Sequence, residues 1–146
     1  MRVVLLAVGK VKERPLRAVL DDYLGRIQRY ARLEEIELKD LPAAELVDKI
    51  DKRIDPNGRT VALEVEGATW SSQELAAQVG ECELRSVPTL TFLIGGSPGL
   101  PPEVSRKAHR RFSLARITLP RRLARVVLAE QIYRAFTILR GEPYSH

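Results

Sequence analysis

The sequence predicts an α/β domain with a largely parallel sheet. Three observations carry this. Strand-like apolar runs alternate along the chain with stretches of helical spacing. The strongest runs, Val3 to Val8 and Thr89 to Ile94, are apolar or β-branched throughout, as in strands covered on both faces. The 146 residues, 45% of them hydrophobic, suit one domain with a real core. No internal repeat, low-complexity tract or linker interrupts the chain, so residues 1–146 are read as a single domain.

The elements follow in order. Val3 to Val8 is a buried strand ending at Gly9. Met1 and Arg2 ahead of it give a basic-then-apolar start, but the apolar stretch is too short for a signal peptide and no small-residue cleavage site follows. Pro15 suits the first turn of a helix, with Leu16, Leu20, Tyr23, Leu24 and Ile27 on one face. Glu35 to Leu38 alternates, as in a shorter and more exposed strand. Pro42 opens a second helix carrying Leu46, Ile50 and Ile54, and Asp55-Pro56-Asn57-Gly58 is a turn. Thr60 to Val65 is a third strand, ending near Gly67. Ser71 and Glu74 have capping-box spacing for a helix through Leu75 and Val79. Thr89 to Ile94 runs into Gly95-Gly96-Ser97-Pro98-Gly99, and Pro101 and Pro102 start a helix through Val104 and Ala108. Ile117-Thr118-Leu119 reads as a short extended piece before Pro120. The last helix, about Arg122 to Leu139, presents Leu123, Val126, Val127, Ile132, Tyr133 and Phe136 on a broad apolar face. Gly141 is its C-terminal cap, and Glu142 to His146 form a free tail.

Charge is segregated. From Ser105 to His146 there are ten basic and two acidic residues, a net +8, whereas residues 1–104 carry −3. Such asymmetry points to a polyanionic partner or to a solvated basic face. The single Cys82 excludes a disulfide framework and fits a reducing, cytoplasmic compartment. No apolar run is long enough to cross a bilayer. One cysteine and two distant histidines, His109 and His146, give no zinc site, so no metal is expected. His109, among Arg106, Lys107, Arg110 and Arg111, is read as a surface residue. Nucleophile-elbow and paired-carboxylate chemistries find no pattern here.

Four features remain. The glycine loop follows a buried strand, where open α/β sheets bind ligands. It lacks both the P-loop ending and the dinucleotide spacing, and a plain tight turn would also account for it. Arg121, Arg122 and Arg125 cluster at the first turn of the last helix, where the dipole disfavours cations. Either an anion lies close by, RNA phosphate being the obvious one, or the arginines reach into water. Glu130 and Arg134 have the i, i+4 spacing of an ordinary ion pair. The tail residues Tyr144 and His146 either stack on a base or are unstructured.

Taken together, Phe92 to Leu100, Phe112-Ser113-Leu114, Thr118-Leu119-Pro120, Arg125 to Ala135 and Pro143-Tyr144 resemble the ribosomal RNA large subunit methyltransferase H family. Leu6 to Lys10 and Val61 to Glu64 fit as well, so the resemblance spans the chain. It implies a SPOUT-type parallel sheet flanked by helices, with a C-terminal trefoil knot forming an S-adenosylmethionine site. It implies a homodimer that methylates N3 of a pseudouridine in 23S ribosomal RNA, acting on the assembled ribosome. By that pattern Leu63, Gly95, Gly96, Gly99, Ala115, Arg116, Ile117, Thr118, Leu119 and Pro120 form the cofactor site. Arg110, Arg111, Arg121 and Arg122 are expected to bind RNA. Arg125, Arg134, Tyr144 and His146 are the catalytic candidates, with Arg125 or Arg134 favouring the deprotonated base and Tyr144 or His146 positioning it. Two positions depart from the pattern. Arg121 stands where the family has His after Leu-Pro, and the tail reads Pro143-Tyr144-Ser145-His146 where the family has Pro-Tyr-His. The rival readings are a SPOUT enzyme acting on transfer RNA and a non-catalytic ribosome-binding factor, with a nicotinamide enzyme a distant third.

Overall fold

A computed structural model describes residues 1–97 and 99–144. In chain order the elements are β1 (Arg2–Val8), α1 (Arg14–Ile27), β2 (Arg32–Leu38), α2 (Ala43–Arg53), β3 (Arg59–Thr69), α3 (Ser72–Leu84), β4 (Thr89–Ile94), α4 (Pro102–Lys107), β5 (Arg110–Ser113) and α5 (Arg121–Leu139). The strands form one sheet in the order β2-β1-β4-β3-β5, and every pairing is parallel. The expected parallel α/β domain is therefore present.

The continuous apolar run of β1 is explained by its two covered faces. Val3, Leu5 and Ala7 join Leu20 and Ile27 of α1, Leu75 and Val79 of α3, and Leu128, Ile132 and Phe136 of α5 in one core. Val4, Leu6 and Val8 join Leu46 and Ile50 of α2 and Val104 of α4 in the other. Burying each large side chain fully contributes about 1.5–3 kcal/mol, so the α5 stripe alone ties the end of the chain firmly to its start.

Caps match the sequence closely. Ser71 Oγ accepts from the Glu74 N–H at 3.1 Å, and Glu74 Oε1 accepts from the Ser71 N–H at 2.9 Å. Gly141 takes φ +67°, and the Glu142 N–H returns to the Thr137 carbonyl at 2.9 Å.

Four expectations need correction. The last strand is Arg110–Ser113, paired to β3, whereas Ile117 to Leu119 is irregular. Pairing decides this, since β3 offers its free edge to β5, and Ile117 is 71% exposed. The fourth helix stops at Lys107, and Ala108 is already extended. On α5, Leu123 and Val127 are 41% and 38% exposed; Leu128, Ala129 and Ala135 take the buried positions instead, together with Arg125. The tail is not free as far as Tyr144, whose hydroxyl donates to Glu130 at 2.8 Å.

Candidate active site

The strands β1, β4, β3 and β5 all end at the same edge of the sheet, and a cleft of about 290 Å³ opens there. Its walls come from Leu63 to Glu66 of β3, Ile94, Gly95 and Gly99 around the glycine loop, Ser113 to Ala115 after β5, and Ile117, Leu119, Arg121 and Ala124 leading into α5. This is where ligands bind in open α/β sheets, and the volume lies at the lower end for a small-molecule site.

Glycine is required at two loop positions. A Cβ on Gly95 would collide with the Gly99 and Leu100 backbone, which folds back so that Gly96 and Gly99 form a bridge. Gly99 itself has φ +120°. A Cβ on Gly96 would lie 2.8 Å from Arg121 Nη1, and one on Gly9 3.7 Å from it. The Arg121 guanidinium is therefore seated between the ends of β1 and β4, beside the cleft.

Of the cofactor residues expected from the sequence, Leu63, Gly95, Gly99, Ala115, Ile117 and Leu119 line the cleft. Gly96 packs under Arg121, and Arg116, Thr118 and Pro120 belong to the connecting segment without lining it. Arg121, expected at the RNA, is a wall of the cleft. Glu64 and Glu66 were not foreseen. Their signal is two acids at the C-terminal end of a buried strand just before Gly67.

The arginines divide sharply. Arg125 is buried, its side chain 6% exposed. Its Nη1 donates to the Gly9 carbonyl at 3.1 Å, and its Nη2 reaches Glu35 at 2.5 Å and Glu37 at 2.6 Å. Arg17 meets the same acids, at 2.5 Å to Glu35 and 3.6 Å to Glu37. Hydrogen bonds to the shared Glu35 and then to Asp21 hold the Arg17 guanidinium protonated well above its ordinary range. The expected role of Arg125 toward the RNA is thus corrected: its guanidinium points into the protein and fastens α5 to β1 and β2. Arg122 pairs on the surface with Glu13 at 2.5 Å. No ion pair among the described residues engages Arg106, Arg110, Arg111, Arg116 or Arg121.

Two catalytic candidates do come together. Arg134 bonds Glu130 at 2.7 Å, Tyr144 donates to the same carboxylate, and the guanidinium lies 4.9 Å from the Tyr144 ring centre. Burial, then the Glu130 hydrogen bond, pushes the Tyr144 phenol up. This cluster is thirteen residues beyond Arg121 on α5, about 20 Å along a helix at 1.5 Å per residue. His146 lies outside the described residues. Among the described residues no group of three or more His, Cys, Asp or Glu side chains is placed to hold a metal ion. No helix among them is long and apolar enough to cross a membrane.

A parallel sheet whose last strand and helix close a glycine-looped cleft at its C-terminal edge defines a class, and comparison with known families agrees. The chain belongs to the SPOUT methyltransferase family, whose model, described as "Predicted SPOUT methyltransferase", matches residues 1–146. Among curated relatives, it is 50% identical over 146 residues to the ribosomal RNA large subunit methyltransferase H of Sorangium cellulosum, covering all of both chains. It is 41% identical to the protein of the same name from Carboxydothermus hydrogenoformans, covering 99% of each. Among solved structures, a probable methylase family protein of Haemophilus influenzae shares the fold at TM-score 0.58 and 9% identity, over 98% of this chain and 68% of that one.

Proposed function

We propose that the protein transfers a methyl group from S-adenosylmethionine to N3 of a pseudouridine in 23S ribosomal RNA, acting on the assembled ribosome. The observation that carries the reading is the cleft: an apolar wall with two carboxylates, Glu64 and Glu66, and the guanidinium of Arg121, which has no ion-pair partner among the described residues. The donor set fits the cofactor's charges, with the acids suited to its ammonium and sulfonium centres and Arg121 to its carboxylate. S-adenosylmethionine, when bound, supplies a methyl group activated on sulfur. Leu63, Ile94, Leu114 and Leu119 provide its apolar surroundings, while the Gly95 to Gly99 loop lets backbone approach closely. The ribosomal substrate is supported by the names of relatives that match over their full length.

The protein's own part is alignment and electrostatics. Arg134 and Tyr144 remain the groups for the base, with Arg134 favouring its N3-deprotonated form and Tyr144 positioning it. His146 belongs to the same proposal from the sequence alone. Their distance from Arg121 along α5 makes a second copy part of the reading, so that one chain's tail serves its partner's cleft. The exposed Leu123 and Val127 on α5 support a homodimer. A threaded C-terminal segment around the cleft, the family's knot, and a cytoplasmic setting complete the proposal.

The test is to incubate the protein with methyl-labelled S-adenosylmethionine and ribosomes lacking the modification, then locate the label. Label on N3 of a large-subunit pseudouridine is expected. Label on free transfer RNA alone would replace the substrate with that of the rival enzyme. Ribosome binding with no transfer at all would leave a binding factor.

A further inference from the structure

Next to the cleft, on the same two strands, lies a second groove of about 400 Å³. Glu66 borders both. Strand β5 runs from one to the other: Arg110 and Arg111 line the groove, and Ser113 the cleft, two residues or about 7 Å further along a strand.

The groove is built by a specific irregularity. The β3–β5 register breaks between Leu63 and Ala68, so the intervening residues arch out of the ladder. Gly67 lets the arch return close to β5, because a Cβ there would sit 2.7 Å from Arg111 C and Phe112 N. Just beyond, Trp70 is stacked on the buried Phe112, with centroids 4.7 Å apart and planes 14° from parallel. The Trp70 ring is thereby held rigid in the groove wall.

Its charge is available. Among the described residues Arg110 Nη1 bonds only the adjacent His109 carbonyl, at 2.9 Å. Arg111 Nη1 leans on the Ser105 carbonyl at 3.0 Å at the end of α4. Arg106, on α4, is exposed and unpaired like them. Among the described residues Glu66 is the only carboxylate lining the groove. A positive groove with an aromatic platform is the arrangement that holds single-stranded nucleic acid: cations follow the phosphates, and any base stacks on the ring.

Resting on the reading of the cleft as an RNA methyltransferase site, we propose that this groove holds the RNA segment flanking the target nucleotide. Arg110 and Arg111 contact its phosphates, and Trp70 stacks against a base. Binding here leads the strand along β5 into the cleft, so the groove sets affinity for RNA and leaves affinity for the cofactor unchanged.

The experiment uses the full chain, unmodified ribosomes and three variants. Arg110→Gln removes one exposed cation. Trp70→Ala removes the platform, and Trp70→Phe keeps an aromatic on Phe112. Binding is measured across a salt series, methylation kinetics on the same ribosomes, and S-adenosylmethionine affinity by calorimetry. Arg110→Gln is expected to lower the salt slope by about one and to raise KM for ribosomes more than it lowers kcat. Trp70→Ala is expected to weaken RNA binding about tenfold, with Trp70→Phe restoring most of it. Calorimetry should give wild-type cofactor affinity for all three, which also reports an intact fold. Wild-type KM and salt slope in Arg110→Gln and Trp70→Ala, with methylation proceeding, would overturn the groove and leave the enzyme reading intact. Absence of both ribosome binding and methylation in the wild type would overturn the two together.

Discussion

At its first turn, α5 meets solvent and the cleft with Arg121 unpaired. One turn later Arg125, on the same helix, is sealed against Glu35, Glu37 and the Gly9 carbonyl. Beyond it, Arg134 and Arg140 are neutralised by Glu130 and Glu83, and the aromatics Tyr30, Tyr133, Phe136 and Tyr144 close around them. Arginines that look alike in the sequence thus serve opposite ends. The first turn stays open beside the cleft, and the rest of the helix anchors it. Part of the net +8 of the C-terminal third is consumed internally; the free part is gathered between residues 106 and 121.

The sharpest way to break this contrast is Arg125→Ala. It leaves Glu35 and Glu37 facing each other with only Arg17 to neutralise them, and detaches α5 from the end of β1. Removing one member of a buried ion pair costs about 3–5 kcal/mol, so urea unfolding should show the largest loss among the arginines of the helix. Wild-type stability would mean that Arg17 alone suffices. Arg121→Ala is the matching test. Its unfolding free energy should stay within about 0.5 kcal/mol of wild type, as for exposed residues generally. Its affinity for S-adenosylmethionine should fall by tenfold or more, the effect of losing a hydrogen bond to a charged group, about 1.5–3 kcal/mol. Loss of stability without loss of affinity would put Arg121 in the anchoring set.

Much of this arrangement is legible in the sequence. The buried runs of β1 and β4, the capping box at Ser71 and the Gly141 cap all follow from local chemistry, which the tertiary structure did not override. The glycine loop stands out as a candidate ligand position because it follows a buried strand, and a plain tight turn fits the same residues. What could not be read is partnership at long range. Nothing near Arg125 announces that Glu35 and Glu37, some ninety residues earlier, will reach it. A buried arginine and an RNA-binding arginine have the same local pattern. The fifth strand was missed for a related reason: Arg110–Ser113 is too short and too basic to look like a strand, and it exists because β3 offers an edge. Glu64 and Glu66 lie on a strand that looked complete at Val65, and the bulge that turns them to the cleft depends on Gly67 fitting over β5.

A smaller effect tests the anchoring half alone. Tyr144→Phe removes the hydroxyl that bonds Glu130 while keeping the ring on Tyr133 and under Arg134. A single intramolecular hydrogen bond contributes about 0.5–1.5 kcal/mol, and the loss of stability should fall in that range. If turnover on ribosomes falls far more than stability, Tyr144 contributes to the reaction as well as to packing; if the two fall together, its role is to hold the tail.

The subtlest consequence concerns alkaline pH. The Tyr30 phenol, which donates to Glu142 at 2.7 Å, is pushed up to about 12 by burial first and by that hydrogen bond second. In the unfolded chain a tyrosine titrates near 10. Between these values the folded protein keeps a proton that the unfolded chain has released, so stability falls as pH rises. The contribution is fully present below about pH 10 and is lost as pH climbs through 12. Tyr144, raised in the same direction, adds to the decline. Denaturant midpoints measured from pH 9 upward should therefore fall, and Tyr30→Phe should flatten the slope by up to one proton. Arg121→Ala should leave that slope untouched, since the cleft end of the helix shares neither phenol. An equal flattening in both variants would mean that the two ends of α5 are coupled through the helix and do not divide its labour.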